Sequence, residues 1–347
     1  MSDADSVKLK INGQIHDGWT SVQISQSLDA LCSSFDLEIF DGAPIATGDA
    51  CELFIGDVLI LSGLVDATNF EISAQSRTLS ISGRDKTCDL LDCSALNSPA
   101  TWKAQKLDKI AKDLIAPFGL ELEIEGSLGA AFSSFALEQG ETVFDALTRL
   151  CRLRGLLLSS TPEGKVKIFT PTPEAVSWAL VLGENIESMS VADNAVGRFS
   201  KYEIKGQHNG RETAAADARG PKATASDPGV KRYRPLLIIA DEQSTLQGLQ
   251  TRVNWEATNH KAQAQKVSIN LMGWRAPDGS LYSKGVLVQV RADKMGVNAQ
   301  LIVEDCDFVL DAGNRRTKLS LVAPEAYQPQ PITQPSALKK PARRGTR

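Results

Sequence analysis

The side chains able to do chemistry are few, and their spacing suits no familiar reaction. Three histidines stand far apart, at His16, His208 and His260. No HxxxH or HExxH pair places two of them on one helix face, and no two cysteines form CxxC, so sequence neighbours build no zinc site. Four of the six cysteines Cys32, Cys51, Cys88, Cys93, Cys151 and Cys306 stand where a strand or helix pattern calls for an apolar residue. They read as buried, reduced thiols of a protein made in a reducing compartment. Cys88 with Cys93 is the alternative, oxidised pairing. There is no GxSxG elbow and no glycine-rich loop ending in Gly-Lys-Ser/Thr. Gly83-Arg84-Asp85-Lys86-Thr87 has a superficial likeness to a phosphate loop, but it holds a single glycine and reads as a charged corner leaving a strand. Glu138, Glu141 and Asp145 gather at a helix start, where acids complement the helix dipole without any catalytic role. The expectation is no catalytic residue, no metal site and no cofactor.

Composition narrows the class. The 347 residues suffice for two or three domains with substantial cores, and 42% hydrophobic with 23% charged residues is the globular range. A net charge of −4 argues against specific nucleic-acid binding, which wants a concentrated basic field. Met1 to Ser6 has no basic stretch leading into an apolar core, so no signal peptide is expected there. The longest apolar run, around Val58 to Val65, is broken by Ser62 and Gly63 and falls well short of the ~18 residues of a membrane span. No membrane insertion is expected.

The elements that must position any site are mostly strands. Val7, Leu9 and Ile11 alternate with polar residues before Asn12-Gly13, a hairpin turn pair. Val22/Ile24, Phe35/Leu37/Ile39, Cys51/Leu53/Ile55, Phe70/Ile72 and Leu79/Ile81 continue the alternation. Turn signals at roughly 8–12-residue spacing mark an all-β barrel or sandwich. The period changes near Trp102: Leu107, Ile110, Ala111, Leu114 and Ile115 fall at helical spacing, as do Val143, Leu147, Leu150 and Cys151. A strand at Leu120 to Ile124 lies between these helices, and a hairpin around Pro162-Glu163-Gly164 follows them. Strands return from Trp178, with Leu236 to Ile239 read as a buried one, and Ser244 with Gln247 forms a capping-box pattern at the start of a third helix.

The reading is therefore mainly β with an α+β insert. Residues 1–97 form a first β-barrel domain and 98–175 the insert. Residues 176–327 form a second β-barrel domain with a long loop (207–229) and a crossing helix (244–264). Residues 328–347 are a Pro-rich basic tail whose composition predicts disorder. Lys231-Arg232-Tyr233-Arg234-Pro235 is either an interface strip or a charged lead-in to the next strand.

Four stretches resemble the baseplate hub protein family of Mu-like contractile-tailed phages: Asp17 to Val22, Gly83 to Cys93 followed by Trp102-Lys103, Leu182 to Asn185, and Arg232 to Pro235 running into Asp241. Their order and spacing match from about residue 7 to 325. The wider kin are the late-control D proteins and the N-terminal part of type VI secretion spike proteins. The resemblance implies two related tube-type β-barrel domains per subunit and a ring-forming homotrimer. That ring would join the sixfold tail tube and adjacent baseplate proteins to the threefold central spike. It implies a structural protein of the virion tail baseplate, assembled in the bacterial host cytoplasm around a DNA passage, and no catalytic residues to transfer. The lumen is expected to be polar and mildly acidic. Two other classes compete. A tail-associated cell-wall hydrolase would need an isolated acid pair or a metal motif. A carbohydrate-binding module would need exposed aromatic platforms, and aromatics are only 6% of the chain.

Overall fold

The computed structural model describes residues 4–40, 45–74, 76–206, 221–240 and 246–331. Strands hold 48% of the residues and helices 19%, so the chain is mainly β. It divides into two compact units: Met1–Ala192 with Lys266–Pro324, and Asp193–Gln265 with the chain from Glu325.

In the first unit, seven strands precede the insert: β1 Val7–Ile11, β2 Gln14–His16, β3 Ser21–Ser27, β4 Ser34–Phe40, β5 Ala50–Ile55, β6 Val58–Ile72 and β7 Arg77–Asp85. Asn12 and Gly13 both take positive φ, 50° and 78°, as the β1–β2 hairpin turn requires. After the insert come β13 Ala175–Val181 and β14 Ile186–Asp193, and after the second unit β18 Gln265–Met272, β19 Leu287–Ala292, β20 Val297–Asp311 and β21 Asn314–Val322. All belong to one 13-stranded sheet, ordered β14-β18-β21-β20-β3-β4-β7-β6-β5-β1-β2, with β19 on β20 and β13 on β19.

The two expected β-barrel domains are not seen as closed barrels here. The two β regions are joined edge to edge, with β3 antiparallel to the second half of β20, Phe308 opposite Ile24 and Leu310 opposite Val22. Their inward residues share one core, in which Leu9, Ile24, Phe35 and Leu53 lie with Trp274, Val290, Phe308 and Leu321. No closed barrel is found among the described strands.

The two regions repeat one motif. β6 and β20 are each 15 residues long, each is followed by a nine-residue strand, and each carries a bulge near its middle. The extra residues are Asp66 and Glu304, and each carboxylate is held at 2.6 Å by a cation, Arg84 and Lys266 respectively. A strand of this length spans about 50 Å if flat. The bulge bends it, so its first half pairs with the preceding strand and its second half with the following one.

α1 Asp89–Asp92 leads into the insert, which contains β8 Thr101–Gln105, α2 Leu107–Ile115, β9 Leu122–Glu125, β10 Phe132–Ala136, α3 Val143–Arg152, β11 Leu157–Ser160 and β12 Val166–Phe169. The predicted helical stripes are its core: Ile110, Leu114, Leu147 and Leu150 are fully buried. The strands β8 and β10, unpredicted, place Trp102 against Phe135 at 6.0 Å.

The second unit is β15 Lys201–Lys205, β16 Lys222–Ser226, β17 Pro235–Ile239 and α4 Leu246–Ala264. The helix expected to cross the second β region packs instead on a sheet of its own, ordered β16-β15-β17. Leu249 and Val253 seal it onto Tyr202, Ile204 and Ala223. Leu246, at the start of the helix, is exposed. Of the expected long loop, residues 207–220 lie outside the described residues and Lys222–Ser226 form a strand. Ser244, part of the capping box read for this helix, and residues 332–347 of the tail also lie outside them.

Candidate functional site

The residues singled out for chemistry are scattered. His16 ends β2, His260 lies on α4 with its Nδ1 2.7 Å from the Gly197 carbonyl, and His208 lies outside the described residues. Among the described residues no group of histidine, cysteine, aspartate and glutamate could hold a metal ion. Glu138, Glu141 and Asp145 serve the start of α3. Thr142 and Asp145 form a reciprocal capping box, and Glu141 receives Arg149 at 2.8 Å.

All six cysteines are free. Burial pushes Cys51 and Cys151 up to about 12 and Cys88 up to about 11; Cys32 is also raised to about 12, first by burial and then by the charge of Asp85. A buried, protonated thiol is neither nucleophile nor ligand. Cys93 alone is exposed. Titration with a thiol reagent near pH 8 is therefore expected to find one fast thiol per native chain, and all six after unfolding. Several fast thiols in the native protein would contradict this burial.

Gly83 to Thr87 is a structural junction, as its reading as a charged corner implied. Asp85 is 1% exposed, at the end of β7. One carboxylate oxygen accepts from Thr87 N at 2.9 Å and Thr87 Oγ1 at 2.5 Å; the other accepts from Ser33 N and Ser160 Oγ, both at 2.7 Å. The carboxylate thus caps the 3₁₀ turn Lys86–Cys88 and ties β11 of the insert to the first β region. Beside it, Lys284 donates to Ser27 O at 2.8 Å and Ser159 Oγ at 3.2 Å, and burial pulls its pKa down. Arg84 bridges Asp66 at 2.6 Å and Asp92 at 2.8 Å. These groups are consumed by one another, which makes a fixed joint between segments.

Surfaces remain. The large sheet turns one face to the core and a polar face outward. A shallow groove on that outward face is lined by Ser21, Gln23, Asp36, Glu38, Ser80 and Ser82. Further along, Asp307 is hydrogen-bonded to Ser25, and burial raises its carboxyl pKa. In the second unit, Arg234 of the basic cluster is committed to the Arg198 carbonyl at 3.0 Å and the Val196 carbonyl at 2.7 Å. Arg198 in turn pairs with Asp227 through two bonds. Tyr233 beside it is 84% exposed. The strand read as buried, β17, lies at the sheet edge: Leu236 and Ile238 face α4, while Leu237 and Ile239 are half exposed.

Comparison with known proteins identifies the family. A family model for the second domain of gp44-like baseplate hub proteins matches residues 87–170. Models for the N-terminal and fourth domains of the Mu phage baseplate assembly protein GpP match 6–85 and 245–330. The chain is 34% identical over 339 residues to the baseplate hub protein gp44 of Escherichia phage Mu, covering 93% of this chain and 89% of that one. The 43 kDa tail protein of prophage MuSo2 from Shewanella oneidensis superposes with a TM-score of 0.84 at 32% identity, covering 94% of this chain and all of that one. A tail protein from Neisseria meningitidis MC58 superposes at 0.80 with 25% identity, covering 95% and 99%. With the interlocked joint at Asp85 and the doubled strand motif, these matches establish that the chain belongs to the Mu-like phage baseplate hub protein family.

Proposed function

We propose that three copies of this baseplate hub protein close into a ring that joins the sixfold tail tube to the threefold central spike. The observation that carries the reading is the doubled motif, β5-β6-β7 and β19-β20-β21, with matching lengths and a bulge in each long strand. A chain that presents one shape twice offers six similar surfaces per trimer, so a threefold ring can meet a sixfold partner without strain. On this reading residues 1–97 and 176–327 are the two tube-type domains, 98–175 decorates the first, and assembly precedes release from the host cytoplasm.

The polar face of the large sheet would line the DNA passage. Its small hydroxyl and amide side chains, with Asp36 and Glu38, and with Asp307 set opposite Lys318, offer a passing duplex no concentrated basic field. The role needs no catalysis. The test is end-on electron microscopy of the purified protein, alone and co-expressed with the spike of the same particle. Annular projections with a central opening, and a spike that co-purifies, are expected. Solid or filamentous particles with no spike retained would overturn the proposal.

A further inference from the structure

The doubled motif leaves one edge filled within the chain and its counterpart bare. In the ladder, Ala67 faces Ser82 just after the first bulge and Asp305 faces Ser320 just after the second. Stepping forward from these pairs, Phe70 corresponds to Phe308 and Ile72 to Leu310. The second half of β20 is covered by β3, which leaves Phe308 1% exposed. Along the second half of β6, no described strand occupies the same edge. Phe70 is 40% and Ile72 71% exposed there.

The strand that would fill it is also identifiable. β3 lies beyond β4, which lies beyond β7; in the second region β14 lies beyond β18, which lies beyond β21. β14 is thus the counterpart of β3. Met189 and Val191 pack against the core from it, as Val22 and Ile24 do from β3. β14 ends the sheet, and no described strand lies on its outer edge. Within one chain β18, β21, β20, β3, β4 and β7 stand between β14 and β6. The donor strand must therefore come from elsewhere.

We infer that β14 of a second copy of this chain adds antiparallel to residues 67–72 of β6, with Val191 opposite Phe70 and Met189 opposite Ile72. The register copies the internal one, in which Ile24 faces Phe308 and Val22 faces Leu310. Aromatic and aliphatic pairs of this kind are what stabilise antiparallel strands. Ser190 would face Glu71, so no like charges meet. An open strand edge bearing apolar residues is otherwise an aggregation hazard. The contact is head to tail, so it propagates until it closes. The inference rests on the ring reading and names the seam that would build it.

The seam is tested by a Phe70→Cys/Val191→Cys double variant in a Cys93→Ser background, oxidised and run without reductant. Directly opposed strand residues lie within disulfide reach. A covalent band at three chain masses is expected from the double variant and from neither single one. Ile72→Lys, placed at an exposed position, is expected to leave the circular dichroism unchanged and weaken self-association by about tenfold or more. A trimer that forms without the cross-link and tolerates Ile72→Lys would overturn this seam and leave the ring standing. A wild-type protein of single-chain mass, alone and after co-expression with the spike, would overturn both. A cross-linked ladder beyond three would support the seam and contradict threefold closure.

Discussion

Replacing Asp85 with alanine is expected to cost about 3–5 kcal/mol of stability, because a fully buried carboxylate with four donors is removed and its donors have no water to turn to. Ser160 Oγ and Thr87 Oγ1 can rotate to other acceptors. The backbone N–H groups of Ser33 and Thr87 cannot. Lys284 would also lose the anion whose charge favours its protonated form. Asparagine is expected to be less damaging, at about 1–3 kcal/mol. Its carbonyl can serve one of the two N–H donors, but its amide then points at the other. Denaturant midpoints for the two variants check both the size and the order. Near-neutral behaviour of Asp85→Ala would mean that the junction contributes little to the fold.

The second large effect is expected at Gly63. A Cβ there would overlap the Arg84 carbonyl of the neighbouring strand and lie 2.9 Å from the Asp85 Cα. The obstruction is backbone on both counts, so a rotamer change cannot relieve it. Gly83, paired opposite Val65, is similarly confined: its Cβ would meet the Leu64 carbonyl and lie 2.5 Å from the Phe35 ring. The two strands approach closely here because the bulge at Asp66 crosses them at the corner. Gly63→Ala is expected to destabilise by about 3 kcal/mol or more, or to prevent soluble expression. Gly140→Ala is the comparison for backbone strain alone, since Gly140 has positive φ, 82°, which Gly63 does not, and no neighbour lies within 4 Å of its added carbon. A smaller loss at Gly63 than at Gly140 would contradict the crowding argument.

Much of the local structure was legible in the sequence, for clear reasons. The insert helices announce themselves because Leu107 to Ile115 and Val143 to Cys151 repeat at 3.6 residues, and both stripes are core. The Asn12-Gly13 hairpin is equally local. The long strands were less legible. Phe70/Ile72 reads as a short strand of its own and Val58 to Val65 only as an apolar run, yet the two are one strand with a bulge. The extra residue reverses the in–out alternation, so the pattern breaks where the chain does not. β14 escaped notice because Ile186-Glu-Ser-Met-Ser-Val-Ala-Asp is polar on the side that does not face the core. The joining of the two β regions through β3 and β20 is a pairing across more than 270 residues, which no local periodicity encodes.

The functional surfaces were legible mainly as absences of chemistry. The corner at Gly83 to Thr87 reads as a charged turn, but its four-donor carboxylate depends on Ser33 and Ser160, which no local pattern links to Asp85. The bare edge at Phe70 and Ile72 resembles any amphipathic strand until the filled edge at Phe308 is set beside it.

The central claim is that this chain acts as a closed ring. Static light scattering of the purified protein across a concentration series measures that directly. The account predicts three times the chain mass over the range, with dissociation only on strong dilution. A single-chain mass at every concentration, including after co-expression with the spike, would contradict it.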